Sequence, residues 1–121
     1  MGLEGLRVII VEDEVLLALE MQDMLKEAGC LIAGTAASVD AAIKLAKSTR
    51  FDVALLDMNL GGERIDPVAR LVAERGLPII FVTGYGQRTL PPGIAAPVVE
   101  KPCTIDKLLP FLAALIERPH A

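Results

Sequence analysis

Five residues in this sequence have side chains suited to handling a phosphoryl group: Glu12, Asp13, Asp57, Thr83 and Lys101. Three of them are carboxylates, which repel one another unless a positive group lies between them. A hard cation with oxygen ligands relieves that repulsion, and Mg²⁺ is the usual one where phosphate is handled. The Lys101 ammonium supplies a second positive group, and the Thr83 hydroxyl can donate a hydrogen bond to a phosphoryl oxygen. Together the five suit phosphoryl transfer, with a carboxylate as the nucleophile that forms an acyl phosphate.

Each of these residues alone has an ordinary structural explanation. Glu12 and its acidic neighbours could complement a helix dipole, and Asp57 could cap a helix or form a turn. Thr83 precedes a glycine and could belong to a turn, while Lys101 could lie in a solvated loop. What makes the set specific is its placement, because each member ends or directly follows a predicted strand.

The strands that would position these residues are short apolar runs rich in β-branched side chains, which are typical of strands buried on both faces of a parallel sheet. The runs span residues 6–11, 31–36, 53–57, 78–83 and 98–100. Segments with helical spacing alternate with them at 14–28, 38–47, 66–76 and 104–117. We expect Ser38 and Asp66 to act as N-caps, with Pro67 at the first helical position. Glycines and prolines crowd residues 84–97, so any helix there must be short.

Strict alternation of five strands with four or five helices predicts an α/β protein with a three-layer, doubly wound (βα)5 architecture. The sheet is parallel, helices cover both of its faces, and the connections are right-handed. Ligands bind at the carboxyl ends of the strands in such sheets. The five candidate residues should therefore converge at one edge of the sheet. The whole chain, residues 1–121, fits a single domain.

The composition of the chain argues against several classes of protein. With 53% hydrophobic residues the chain is not disordered, and its net charge of −4 argues against sequence-independent binding of nucleic acid. No apolar stretch is long enough to span a bilayer and no signal peptide is evident, so we expect a cytoplasmic protein without membrane insertion. Cys30 and Cys103 form no metal-binding pattern, and two reduced thiols are expected.

Four segments resemble a response regulator receiver domain: VIIVEDE at 8–14, VALLD at 53–57, VTG at 82–84 and VEKP at 99–102. The resemblance extends over nearly the whole chain and implies the flavodoxin-like strand order 2-1-3-4-5. It implies that Asp57 accepts the phosphoryl group and that Mg²⁺ is the cofactor. Asp13 and Asp57 would bind the metal directly, Glu12 through water, and Asn59 through its backbone carbonyl.

The same resemblance implies that Thr83 moves toward the phosphoryl group, that Lys101 pairs with it, and that the bond from Lys101 to Pro102 is cis. Receivers usually carry a switch aromatic three residues before the lysine, where this chain has Val98. The segment PIIFVTGYG at 78–86 is similar to the FATGUY motif of a subgroup of single-domain receivers. We therefore expect Gly84, Tyr85 and the loop to residue 97 to respond to phosphorylation, with Tyr85 and Asn59 tuning the lifetime of the acyl phosphate.

A receiver would obtain its phosphoryl group from a histidine kinase or a histidine phosphotransfer protein and then bind a downstream protein target. It would be a monomer or a phosphorylation-dependent dimer, make no direct contact with nucleic acid, and catalyse only reactions at its own Asp57. The chain would be a single-domain regulator or a receiver excised from a longer protein.

Three other functions remain open. A Mg²⁺-dependent phosphatase with an aspartyl nucleophile usually has a second acid two residues later, where this chain has Asn59. A nucleotide- or flavin-binding module needs a phosphate loop after the first strand, where the chain is acidic. An interaction domain on the receiver fold could also act without phosphorylation.

Overall fold

A computed structural model of the protein describes residues 2–84 and 89–117. The main strands are β1 (Arg7–Val11), β2 (Leu31–Ala36), β3 (Val53–Asp57), β6 (Ile79–Thr83) and β7 (Val98–Glu100). Two further strands of two residues each, β4 (Asn59–Leu60) and β5 (Glu63–Arg64), form an antiparallel hairpin. The helices are α1 (Val15–Glu27), α2 (Val39–Ser48), α3 (Asp66–Glu74) and α4 (Ile105–Glu117).

The main strands form one parallel sheet in the order β2-β1-β3-β6-β7. Counted without the hairpin, this is the predicted order 2-1-3-4-5, and the fold class is confirmed. Side chains alternate between the two faces of each strand. Ile9 and Val11 of β1 therefore pack into a core with α2 and α3, whereas Val8 and Ile10 pack into a second core with α1 and α4. Helices on both faces of the sheet give the three layers.

The helix starts agree with the sequence in one case and differ in another. Ser38 caps α2, and its Oγ accepts a hydrogen bond of 3.2 Å from the Ala41 N–H. The prediction of Asp66 as an N-cap is wrong, because Ile65 is the N-cap of α3 and Asp66 is its first residue. Asp66 instead accepts a hydrogen bond from Nε of Arg64 at 3.0 Å. Because Ile65 is buried in the core, the helix starts one residue earlier than the position of Asp66 in the sequence indicated.

Two connections lie near the carboxyl ends of the strands. The segment after Asp57, which the sequence predicts only as a glycine-containing loop, is the β4–β5 hairpin. Residues 84 and 89–97, the described part of the glycine- and proline-rich segment, contain no helix. Among the described residues, no helix is long and apolar enough to cross a bilayer.

Candidate phosphoacceptor site

Three neighbouring strands deliver the predicted residues to one edge of the sheet. Glu12 follows β1, Asp57 ends β3 and Thr83 ends β6, and these strands are adjacent in the order β1-β3-β6. Lys101 follows β7 on the far side of β6, and its backbone N–H donates to the Thr83 carbonyl oxygen at 2.8 Å. Parallel pairing thus brings together residues separated by up to 89 positions, as the sequence predicts.

Glu12, Asp13 and Asp57 form a compact carboxylate cluster. One oxygen from each lies within 4.8 Å of the others. Glu12 and Asp57 are buried, with 3% and 5% of their surface exposed, while Asp13 is half-buried. Three carboxylates so close together leave an excess of negative charge, and an all-oxygen donor set of this kind fits a hard divalent cation such as Mg²⁺.

Lys101 partly neutralises the cluster. Its Nζ lies 3.0 Å from Oδ2 of Asp57 and 3.1 Å from Oε1 of Glu12. Burial alone would lower the pKa of Lys101, but hydrogen bonds and attraction to the two carboxylates raise it above its usual value. The lysine is therefore a permanent positive charge beside Asp57 at any physiological pH.

One positive charge does not neutralise three carboxylates, and the pKa of Glu12 is raised as a result of its burial there. Burial raises the pKa of Glu12 from 4.5 to about 7, and repulsion by Asp57 acts in the same direction. The Glu14 N–H, which donates to Oε2 of Glu12 at 3.0 Å, and the Lys101 ammonium oppose that rise. A cation among the carboxylates would favour the ionised form of Glu12, since metal ligands bind deprotonated.

The hydroxyl of Thr83 is buried at the site. Its side chain is 1% exposed, and among the described residues Oγ1 has no hydrogen-bond partner. Thr83 lines an open groove of about 410 Å³ together with Asp57, Asn59, Gly84 and Lys101. Leaving a buried hydroxyl unpaired costs on the order of 1–3 kcal/mol, so an anion in this groove would find a donor available.

Backbone N–H groups of the β4–β5 hairpin complete the site. The Asn59 N–H donates to Oδ1 of Asp57 at 3.1 Å, and the Gly61 N–H donates to Oδ2 of Asp13 at 2.9 Å. The Gly62 N–H donates to the side-chain oxygen of Asn59 at 3.1 Å. The sequence reasoning missed Gly61 and Gly62 as site residues. Adjacent glycines are a known hairpin signal, but the flanking strands are too short to show the alternation that would support it.

The predicted switch residues are only partly described. Gly84 is exposed at the rim of the groove. Tyr85 lies outside the described residues, so its role stays a prediction. The peptide bond between Lys101 and Pro102 is cis, as the sequence resemblance implied. Cys103 packs against the core on the α1 and α4 side, and burial raises the pKa of its thiol to about 11.

Known proteins resemble this chain over nearly its full length. The profile of the response regulator receiver domain family matches residues 8–112. The solution structure of SdrG from Sphingomonas melonis Fr1 superposes with a TM-score of 0.79 at 36% identity, covering 96% of this chain and 99% of that one.

Two curated relatives are longer than this chain. The transcriptional regulatory protein PdtaR of Mycobacterium tuberculosis is 31% identical over 118 residues, which cover 93% of this chain and 57% of PdtaR. The phyllosphere-induced regulator PhyR of Methylorubrum extorquens is 33% identical over 86 residues, covering 69% of this chain and 32% of PhyR. The chain thus matches just over half the length of one relative and about a third of the other.

Proposed function

Because this chain belongs to the response regulator receiver domain family, we propose that it accepts a phosphoryl group on Asp57 from a histidine kinase or a histidine phosphotransfer protein. The observation that carries the proposal is the environment of Asp57. This buried carboxylate lies 3.0 Å from the Lys101 ammonium and within 4.8 Å of two further carboxylates. It lines the same groove as Thr83, whose hydroxyl has no hydrogen-bond partner among the described residues. A nucleophile, a positive charge and a hydrogen-bond donor therefore face one open groove.

The residues suited to hold Mg²⁺ are Glu12, Asp13 and Asp57, with Asn59 next to them in the hairpin. The excess negative charge of the cluster supports this assignment, as does the raised pKa of Glu12. When bound, the cation supplies charge neutralisation for the carboxylates and for the phosphoryl oxygens.

In the transfer step, an oxygen of Asp57 forms a bond to the phosphorus of the donor phosphohistidine. The bond from phosphorus to the imidazole nitrogen breaks, and its electron pair stays on that ring. Lys101 remains ion-paired to the reacting end of Asp57 and neutralises charge on the phosphoryl oxygens. Thr83 donates its hydroxyl hydrogen to one of those oxygens, which satisfies a buried group that has no partner in the part of the chain the structure describes.

The start of α1 offers an apolar surface for the phosphodonor. Val15 and Leu16 are 70% and 75% exposed, directly after the acidic segment that follows β1. Exposed aliphatic side chains beside an active groove are typical of protein docking sites. We expect the donor to contact these residues while its phosphohistidine enters the groove.

We further propose that the phosphorylated protein acts by binding a downstream protein target, as a monomer or a phosphorylation-dependent dimer in the cytoplasm. In this proposal the chain transforms no substrate beyond its own Asp57. A phosphorylation-independent interaction domain is the alternative. It predicts that an Asp57→Asn variant binds the target as tightly as the phosphorylated protein does.

Acetyl phosphate provides the direct test of phosphoryl uptake. Incubation with this donor and Mg²⁺ should add one phosphoryl group, about 80 Da, to the intact mass, because an aspartyl carboxylate is the nucleophile. The adduct should be absent from an Asp57→Ala variant and after chelation of the metal. An Asp23→Ala variant, which removes an exposed carboxylate of α1, should label as the unmodified chain does. Equal labelling of the Asp57→Ala variant would refute the assignment.

Docking of the donor is tested by comparing phosphotransfer from the kinase with uptake from acetyl phosphate. A Leu16→Asp variant should lose phosphotransfer from the kinase by about tenfold, equivalent to about 1.4 kcal/mol of binding, and keep uptake from acetyl phosphate. A Leu31→Asp variant is the matched control, since Leu31 is 50% exposed at the opposite end of the sheet. Unchanged transfer to the Leu16→Asp variant would exclude this part of α1 from the docking surface.

A further inference from the structure

The β4–β5 hairpin contacts two of the three clustered carboxylates through its backbone. Its Asn59 N–H donates to Asp57, and its Gly61 N–H donates to Asp13. We propose that this hairpin is a positioning element of the cation site, in which the Gly61 peptide N–H orients the Asp13 carboxylate toward the metal. The inference rests on the proposed function and assigns a role to Gly61 within it.

The hairpin is anchored firmly enough to position another side chain. Leu60 of β4 and Ile65, which directly follows β5, are 2% and 1% exposed and belong to the core on the α2 and α3 side of the sheet. Within the hairpin, Asn59 pairs with Arg64 and Leu60 pairs with Glu63. A tight turn held at both ends by buried side chains has little freedom to move, so the direction of its amides is set by the fold.

The turn depends on its two glycines. Gly61 and Gly62 have φ values of +56° and +89°, and two-residue hairpins of this kind need positive φ at both positions. Asn adopts positive φ at modest cost, whereas a β-branched residue there is a true outlier. A side chain at position 61 has room, since its Cβ would lie 3.8 Å from Oδ2 of Asp13.

Asp13 needs such support more than its two neighbours do. Glu12 and Asp57 are buried, and each contacts Lys101 as well as a backbone N–H. Asp13 is half-buried, and among the described residues the Gly61 N–H is the hydrogen-bond donor found on it. A carboxylate has about four lone-pair sites, so accepting from Gly61 leaves capacity for a cation. Holding the side chain in place beforehand removes the entropic cost of ordering it when the metal binds.

Three variants separate positioning from general loss of stability. Gly61→Val breaks the positive-φ turn, whereas Gly61→Asn retains it and creates the Asn-Gly pair favoured in hairpins. Gly76→Val is the matched control: Gly76 has a φ of +73° with open space around its Cβ, and it precedes β6 at the opposite edge of the sheet. Mg²⁺ affinity is measured by titrating each protein and following backbone amide shifts.

We expect Gly61→Val to weaken Mg²⁺ binding roughly tenfold, the scale seen when groups that orient metal ligands are removed. The Mg²⁺ affinity of Gly61→Asn should stay within about twofold of that of the unmodified chain. Gly76→Val should unfold at a lower denaturant concentration yet bind Mg²⁺ with the affinity of the unmodified chain. Raising Mg²⁺ tenfold should restore phosphoryl uptake by Gly61→Val, since the reacting groups are intact. Equal affinity in Gly61→Val, or an equal loss in Gly76→Val, would overturn the positioning role.

The unmodified chain distinguishes this inference from the proposed function. If it binds no Mg²⁺ at all, the proposed function fails and the positioning role fails with it. Should Gly61→Val not fold, hydrogen exchange at the Gly61 amide decides the matter. That amide should exchange slowly, and Asp13→Ala should accelerate it on the order of tenfold. Fast exchange at Gly61 in the unmodified chain would refute the hydrogen bond on which the inference depends.

Discussion

Glu12 should make the metal-free protein lose stability as the pH rises through the neutral range. Burial, with repulsion from Asp57, raises the pKa of Glu12 from 4.5 to about 7. Between these two values the folded protein holds a proton that the unfolded chain has released. Stability is therefore fully present below pH 4.5 and is lost as the pH rises through 7.

The size of the effect follows from the width of that interval. A rise of about 2.5 pH units corresponds to a loss of about 3 kcal/mol in the free energy of unfolding. A Glu12→Gln variant keeps the size of the side chain but cannot ionise, so its stability should be nearly flat over the same interval. Near pH 8 it should be more stable than the unmodified protein, whose buried carboxylate is then charged.

The free energy of unfolding is measured at pH 5, 6, 7 and 8 by guanidinium denaturation followed by far-UV circular dichroism, with a chelator present. The matched control is Glu20→Gln, which neutralises an exposed glutamate of α1 and should keep the unmodified slope. Saturating Mg²⁺ should reverse the trend, because the cation binds the ionised carboxylates. A Glu12→Gln variant with the same pH slope as the unmodified protein would show that Glu12 is not the group whose ionisation lowers stability.

Other predictions concern packing, capping and thiol reactivity. Gly34→Ala should lower stability by about 1 kcal/mol, because the new Cβ would overlap Cδ1 of Leu45, and the same change should cost less in a Leu45→Ala background. Ser38→Ala should cost about 1 kcal/mol through loss of its hydrogen bond to the Ala41 N–H, whereas Ser38→Asp should not. Both are measured as shifts of the denaturation midpoint, and an unchanged midpoint would contradict them. Cys103 should react slowly with iodoacetamide at pH 8, because burial raises its thiol pKa to about 11. Comparison with a Cys103→Ser variant by mass spectrometry identifies its share of the labelling, and rapid alkylation would contradict its burial.

The sequence predicted the sheet well, and the reason is physical. The three central strands β1, β3 and β6 are buried on both faces and are therefore continuous apolar runs. The edge strands β2 and β7 are only partly buried, yet their short runs also located them to within a residue. The starts of the helices were predicted less well, since one of the two predicted N-caps is wrong. Ser38 caps α2 by accepting a hydrogen bond from a residue three positions later. Asp66 instead accepts a hydrogen bond from Arg64, and burial of Ile65 sets where α3 begins.

The sequence by itself determined which chemical groups end the strands, and so it predicted that Glu12, Asp57, Thr83 and Lys101 would meet. That prediction needs only the rule that parallel strands share one carboxyl edge. What the tertiary structure alone decided is how the groups are held: the two ion pairs of Lys101, the burial of the Thr83 hydroxyl and the hydrogen bond from the Gly61 N–H to Asp13. The ion pairs and the hydrogen bond require atoms of residues far apart in the chain to lie about 3 Å from each other. Periodicity and composition carry no information on such distances, because packing of the whole core sets them.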